Sequence, residues 1–302
     1  MDPTTSERKV VIITGSTSSI GCDLAEHLHA KGYNVVVSGR RIKEGQAIAS
    51  QLDFTWDTAI FVQCDVTSYD SQANLFKTAW AKWHRLDALV ANAGFVDQTS
   101  HYNLNSKAVP ICEIPPEPNL SCTDVNFKAV VLGTEMAVHY MRHNPVQARG
   151  GKIVITNSVS GLYPVPMAPE YSAAKAAALQ WARSVAPMLG LEGITINSVL
   201  PNVYDTDIMP GFQEAFLDEH LTKKYCLLSA YDVFLDDAAG EKNGQAIETA
   251  CESHYYHDEP PFKSGKVIER TVKTYEPWFG ILHGTTSGLA NTIKGPLRTV
   301  AK

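Results

Sequence analysis

The 302 residues, 44% hydrophobic and 19% charged, hold enough apolar side chains for a sizeable core and exclude a disordered chain. A formal net charge of −6 lacks the basic footprint of a nucleic-acid binder, so no nucleic-acid partner is expected. The start, MDPTTSERKV, has no apolar signal segment, and the apolar runs are far shorter than the ~20 residues of a membrane span, so no membrane partner is expected either.

Along the chain, short β-branched runs alternate with longer segments of helical period. KVVIIT at 9–14 reads as a strand and 20–30 as a helix. NVVVS at 34–38 is a second strand, with a helix to about residue 52. AIFVQ at 59–63 is a third, with a helix around 71–83, and DALVA at 87–91 is a fourth. A helix is expected over 122–143, a strand at GKIVITN (151–157), and a long Ala-rich helix over 170–189. ITINSVL at 194–200 is another strand, and NGQAIET at 243–249 predicts a last, edge-like one. Continuously apolar strands alternating with helices imply an α/β fold whose mostly parallel sheet, of about seven strands, is covered by helices on both faces. No repeat or linker divides the chain, so residues 1–302 read as a single domain.

Two stretches break this rhythm. Residues 95–120 contain Pro110, Pro115, Pro116 and Pro118 and join a strand to a helix; loops this long are usually functional or mobile. After residue 249 come His-Tyr-Tyr-His and Pro-Pro clusters that would wrap the core or contact a partner. The six cysteines include no Cys-x-x-Cys pair and read as reduced thiols of a cytoplasmic protein. The ten histidines show no ligand spacing, so no metal is expected.

The first strand runs into Thr14-Gly15-Ser16-Thr17-Ser18-Ser19-Ile20-Gly21 and then a helix. A Gly/Ser turn from strand to helix presents backbone N–H groups to an anion at the helix N-terminus. Gly15 would give the tight turn and Gly21 close packing of helix on strand. Here the sequence resembles the short-chain dehydrogenase/reductase family, whose Thr-Gly-x-x-x-Gly-x-Gly signature is matched at Thr14, Gly15 and Gly21. The resemblance covers roughly residues 9–250, leaves 251–302 as a C-terminal extension, and implies a doubly wound Rossmann-type fold. It places Gly15, Thr17, Ser19, Ile20 and Gly21 against the cofactor. Ser19 replaces the middle glycine and adds a side chain where the backbone approaches the pyrophosphate.

The second strand ends at Ser38-Gly39-Arg40. An NAD site would carry an acid here for the ribose 2′-hydroxyl. Gly39 stands there instead, and Arg40 could pair with a 2′-phosphate, so NADP(H) is expected over NAD(H). The resemblance assigns Asp65 and Val66 to adenine, and Asn92 and Gly94 of Asn-Ala-Gly to the cofactor's side, with Ala91 replacing the usual preceding Asn.

Tyr171-Ser-Ala-Ala-Lys175 puts a phenol and an ammonium one helical turn apart, an arrangement expected to lower the phenol's pKa. Ser158 precedes Tyr171 by 13 residues, the family's separation, and Asn126 lies in the helix before that strand. The resemblance makes Tyr171 the general acid or base and has Lys175 bind the nicotinamide ribose. It has Ser158 bond the substrate oxygen and Asn126 hold a water that links Lys175 to solvent.

Past the sixth strand, Pro201-Asn-Val-Tyr-Asp-Thr206 matches the family's Pro-Gly-x-Val-x-Thr, with Pro201 and Thr206 beside the carboxamide. Asn202 stands for Gly at a bend where Asn tolerates left-handed backbone, and Tyr204 would reshape the pocket. Asn243–Glu248 and the His-Tyr-Tyr-His stretch most resemble the 15-hydroxyprostaglandin dehydrogenase-like branch, which would lack the C-terminal dimer strand of many relatives.

The reading is an NADP(H)-dependent oxidoreductase interconverting a ketone and a secondary alcohol on a medium or large apolar small molecule. The apolar segments 161–167 and 209–216 would flank the site. The loop 95–120 (Phe95, Tyr102, Ile111) and the region 204–216 (Tyr204, Met209, Phe212) are expected to close over the substrate. A homodimer or homotetramer is expected, with Ala173, Ala174, Ala176, Ala177 and Ala178 permitting close helix packing. Alternatives are an NAD-dependent alcohol dehydrogenase, or a non-redox cyclase-like enzyme or cofactor-sensing protein, which Ser19, Ala91, Asn202 and Tyr204 would favour.

Overall fold

The structure, a computed structural model, describes residues 7–102, 110–114, 116–206, 208 and 211–295. The β-branched runs form strands because both of their faces are covered. Strands β1 (Val10–Ile13), β2 (Asn34–Gly39), β3 (Ala59–Gln63), β4 (Ala88–Ala91), β5 (Gly151–Thr156), β6 (Ile194–Pro201) and β7 (Ala246–Ala250) are parallel neighbours in the order β3-β2-β1-β4-β5-β6-β7. The order reverses between β1 and β4, the switch point at which ligands bind in doubly wound sheets.

One face carries helices α1 (Ser19–Ala30), α2 (Ile42–Leu52) and α7 (Lys224–Leu235). Val11, Ile13, Leu24, Leu28, Leu227, Tyr231 and Phe234 pack together there. The other face carries α3 (Tyr69–Trp83), α5 (Ala129–Arg142) and α6 (Pro169–Gly190). There Val10, Ile12, Phe76, Met141, Ile153, Ala178 and Ala182 form the second layer. The helix expected over 122–143 is interrupted: a short α4 (Ser121–Thr123) leads into a π-helical segment, Asp124–Lys128, before α5.

The sheet has an eighth strand. β8 (Ser253–Tyr256) pairs antiparallel with β7 after a tight turn through Cys251, whose φ is +52°. Only an antiparallel partner can follow so short a connection. Ser253 with His254, Tyr255 and Tyr256 of the His-Tyr-Tyr-His stretch thus forms the sheet's last strand, so β7 is not the edge, while Asn243, Gly244 and Gln245 precede β7 rather than belonging to it. Arg183 of α6 donates to the carbonyls of His257 and Asp258, tying the start of the extension to the core. Beyond it, α8 (Lys266–Val272) and α9 (Glu276–His283) bury none of their residues and leave Trp278, Ile281 and Leu282 exposed. Among the described residues no helix is long and apolar enough to cross a membrane, and all six cysteines are free thiols.

Candidate active site

At the carboxyl ends of β1 and β4 the phosphate turn is locked by backbone and short side chains. The Ser16 hydroxyl donates to Ile13 O (2.7 Å) and accepts from Ser38 N (2.9 Å). Asn92 donates from its amide to Thr14 O (3.0 Å) and Gly15 O (3.2 Å), bracing the turn from β4. Gly15 has φ +65°, and a Cβ on it would lie 2.7 Å from Ala93 Cα. A Cβ on Gly21 would lie 2.5 Å from Gly15 O and 2.6 Å from Asn92 Nδ2, so helix and strand meet too closely for any side chain.

Ser19 opens α1 at φ +48°, in the left-handed region that favours glycine. The family's middle glycine is therefore missing where the backbone most wants one. Ile20 packs against the apolar cluster beneath. No side chain caps α1 and no acid lies in its first turn, which leaves the helix start electropositive. That suits a pyrophosphate, so the residues present fit the dinucleotide that the turn implies.

Gly39 is closely packed: a Cβ there would lie 2.9 Å from Thr17 Cγ2. An acidic side chain at this position would have to displace Thr17. Thr17 is buried and is held by Arg41, whose guanidinium donates to Thr17 O (3.1 Å) and Oγ1 (3.3 Å). Sequence reasoning singled out Arg40 and overlooked Arg41. Arg40 is exposed and its charge reaches Asp65. Hydrogen bonds from Thr67 (N–H 3.0 Å, hydroxyl 2.8 Å) hold the Asp65 carboxyl below its ordinary range, and Arg40 adds to this. Val66 is buried in the core beside them.

The four residues expected to carry catalysis converge. Asn126 sits in the π-helical segment, a local irregularity often found at functional positions. Its amide donates to Phe95 O (2.7 Å) and Cys122 O (2.9 Å). Its Oδ1 is buried without a protein hydrogen-bond partner. A Cβ on Gly94 would lie 2.7 Å from that oxygen and 3.4 Å from Lys175 Nζ, so Gly94 is where Asn126 and Lys175 meet. Lys175 is buried; its Nζ donates to Thr156 O (2.8 Å) and lies 5.4 Å from the Tyr171 ring centroid. Ser158 hydrogen-bonds the Tyr171 phenol.

The expected electrostatics are corrected. Burial pushes the Tyr171 phenol up to about 12, against the pull of the Ser158 hydrogen bond. Burial also lowers the Lys175 ammonium to about 8. The low dielectric that surrounds the pair penalises both charges more than their proximity offsets.

Sequence reasoning missed the residues that hold this group. Asn157 donates to Lys175 O (3.1 Å) and accepts from Ser158 N (2.9 Å), joining the segments that carry Ser158 and Lys175. Tyr231 of α7 shares a buried hydrogen bond with Thr156 Oγ1 (2.8 Å), beneath the carbonyl that receives Lys175. The signal for Asn157 was its place at the end of β5, next to Ser158.

Past β6 the substituted motif behaves differently from expectation. Pro201 is buried and pairs with Thr249, and Thr206 Oγ1 accepts from Ile208 N (3.4 Å). Asn202 has no left-handed backbone; its side chain accepts from Val203 N (3.0 Å). Tyr204 turns away from the catalytic group, and its hydroxyl donates to Asp23 of α1 at 2.6 Å. Its long side chain reaches the first helix and so braces the cofactor end of the cleft. Met209 and the Phe212 side chain lie outside the described residues.

A model of the short chain dehydrogenase family matches residues 9–215, more than half of the chain. The chain belongs to the short-chain dehydrogenase/reductase family. It is 39% identical over 298 residues to short-chain dehydrogenase/reductase prx6 of Penicillium rubens, covering 95% of this chain and 98% of that one. It is 30% identical over 202 residues to a 3beta-hydroxysteroid dehydrogenase of Mediterraneibacter gnavus, covering 67% of this chain and 68% of the relative. A short-chain type dehydrogenase/reductase from Mycobacterium marinum shares the fold, with a TM-score of 0.68 and 23% identity over 80% of this chain and 93% of that one. This short-chain dehydrogenase/reductase is accordingly an oxidoreductase of a family that uses nicotinamide cofactors and small-molecule substrates.

Proposed function

We propose that this enzyme interconverts a ketone and a secondary alcohol with NADP(H), on a medium or large apolar small molecule, with Tyr171 as general acid and base. The observation that carries the reading is the convergence of Ser158, Tyr171, Lys175 and Asn126, reached from three separate elements. Gly15, Thr17, Ser19, Ile20, Gly21, Asp65, Val66, Asn92, Gly94, Pro201 and Thr206 would hold the dinucleotide, which supplies or accepts hydride when bound. Arg40, with Gly39 in place of an acid, supports the 2′-phosphate form.

The protonated Tyr171 phenol donates to the carbonyl oxygen in reduction, and its phenolate accepts the alcohol proton in oxidation, so the one group serves both directions. Ser158 orients the substrate oxygen toward it, and Lys175 with Asn126 carries a proton in from solvent to replace the one Tyr171 gives up in reduction. Tyr163 and Met167 are exposed after Ser158 and supply apolar surface at the rim. The 95–102 segment lies at the same rim: the Tyr102 hydroxyl donates to Pro166 O, and Phe95 O receives Asn126. These bonds support Phe95 and Tyr102 as walls of the substrate site.

A homodimer or homotetramer in the cytoplasm completes the reading. The alanine stripe is divided, however: Ala174 and Ala178 are buried within the chain, leaving Ala173 and Ala176 exposed for a partner. The test is oxidation of NADPH, with NADH in parallel, against a panel of aromatic ketones, aliphatic ketones and keto-steroids. Turnover with no member of the panel and either cofactor would remove the proposal.

A further inference from the structure

The helix that carries Tyr171 and Lys175 does not cap itself. Ala168, at its N-cap, offers no side-chain acceptor, and Pro169, its first residue, has no N–H. The first free donors of α6 are therefore the N–H groups of Glu170 and Tyr171. Both are taken by one carboxylate from elsewhere: Asp97 Oδ2 accepts from Glu170 N (3.0 Å) and Oδ1 from Tyr171 N (2.8 Å). Asp97 lies in the loop that follows Asn92-Ala93-Gly94, more than seventy residues earlier in the chain. A negative charge there also suits the positive end of the helix.

Glu170 passes the connection on. Its Oε1 accepts from Thr123 N (2.8 Å) and Thr123 Oγ1 (2.9 Å), at the start of the helix that carries Asn126. Side-chain exposure is only 9% for Asp97 and 5% for Glu170, so water competes little for these bonds. His101 closes the group, with Nε2 3.4 Å from Glu170 Oε2 and 3.8 Å from Asp97 Oδ2.

Building on the proposed catalytic role of Tyr171, we infer that Asp97 is a positioning residue: by capping α6 from the loop after β4, it sets the Tyr171 phenol against Ser158. The Tyr171 peptide N–H is itself one of the bonded atoms, so a shift at Asp97 moves the catalytic residue directly. A misplacement of the order of 1 Å is enough to cost about a hundredfold in rate. Substrate and dinucleotide contacts are left to other residues, so binding should be spared.

The test compares Asp97→Ala and Asp97→Asn with the parent, using NADPH and the panel ketone that the parent reduces best. Asp97→Ala is expected to lower kcat about thirtyfold, with KM and the NADPH dissociation constant within twofold. Asp97→Asn keeps one acceptor and should lose about three- to tenfold. The split between kcat and binding separates positioning from general damage, which would weaken KM and the NADPH dissociation constant together with kcat.

An unchanged kcat, or losses in KM and NADPH affinity as large as the loss in kcat, would overturn the inference. Should Asp97→Ala fail to fold, an Asp97→Asn rate within twofold of the parent overturns it. Tyr171→Phe separates the two layers: if it retains turnover, the catalytic reading fails and Asp97 falls with it. If it is inactive while Asp97→Ala is normal, only the positioning role is lost.

Discussion

The Tyr171 group and the turn at 15–21 occupy the same end of the sheet but are built on different terms. The Tyr171 group, for which catalysis is proposed, keeps every residue the family pattern calls for and is held by hydrogen bonds from Asn157, Thr156, Tyr231 and Asp97. The turn keeps its outer glycines, loses the middle one, and places Ser19 in left-handed backbone. The difference teaches where this fold tolerates change. Proton transfer needs specific atoms at specific places, whereas anion binding by a helix start is shared among several N–H groups and survives a strained one.

Tyr171→Phe should break the catalytic side most completely. The ring still packs, but the proton donor is gone, so turnover should fall by about a hundredfold or more. NADPH binding, followed by fluorescence titration, should stay within about threefold; the reverse pattern would assign Tyr171 to binding.

A smaller effect should separate the two regions by pH. Lys175 is held at about 8 in the fold against an ordinary 10.5. Below pH 8 the fold bears the whole cost of a buried ammonium. Between about 8 and 10.5 the unfolded chain binds more protons than the folded one, so stability rises with pH. Relative to Lys175→Met, the parent should gain about 2 kcal/mol between about pH 7 and 9.5 in urea unfolding. Staying below pH 10 avoids the opposite contribution of Tyr171, whose raised value favours the fold until the phenol ionises. A flat difference would place Lys175 in water.

On the turn side, Arg40→Ala should weaken NADPH about tenfold, near 1.4 kcal/mol, and leave NADH almost unchanged. Equal losses for both cofactors, measured by titration, would point instead to Arg41 and its hold on Thr17. The smallest effect is expected at Ser19→Gly. Relief of left-handed strain is worth about 1 kcal/mol or more, and glycine's extra freedom in the unfolded chain returns part of it. A net gain of roughly 0.5 kcal/mol in urea unfolding should remain; a loss would show that the Ser19 side chain outweighs its backbone strain.

Much of this architecture was legible beforehand because it rests on local regularities. Continuous β-branched runs between helical segments specify buried parallel strands, and six of the eight strands follow on that basis; NGQAIET marks β7, but as a last, edge-like strand, whereas β8 covers it. The missed elements carried mixed signals. Helix α7 shows helical spacing at Leu227, Tyr231 and Phe234, but no glycine or capping residue marks its start. Strand β8 has two exposed tyrosines and gains its identity only from pairing with β7.

The sequence by itself determined the order of strands and helices, the glycines at the turn and the spacing of Ser158, Tyr171 and Lys175. Each is a relation between residues near one another in the chain, or a steric demand of a single residue. Tertiary structure alone decided the ionisation of Tyr171 and Lys175, because burial depends on what the whole fold packs around them. It decided equally that Tyr204 serves α1, that Arg41 grips Thr17, and that Asp97 caps α6. These contacts join segments distant in sequence, and no local pattern encodes which donor meets which acceptor until the sheet has brought the ends of its strands together.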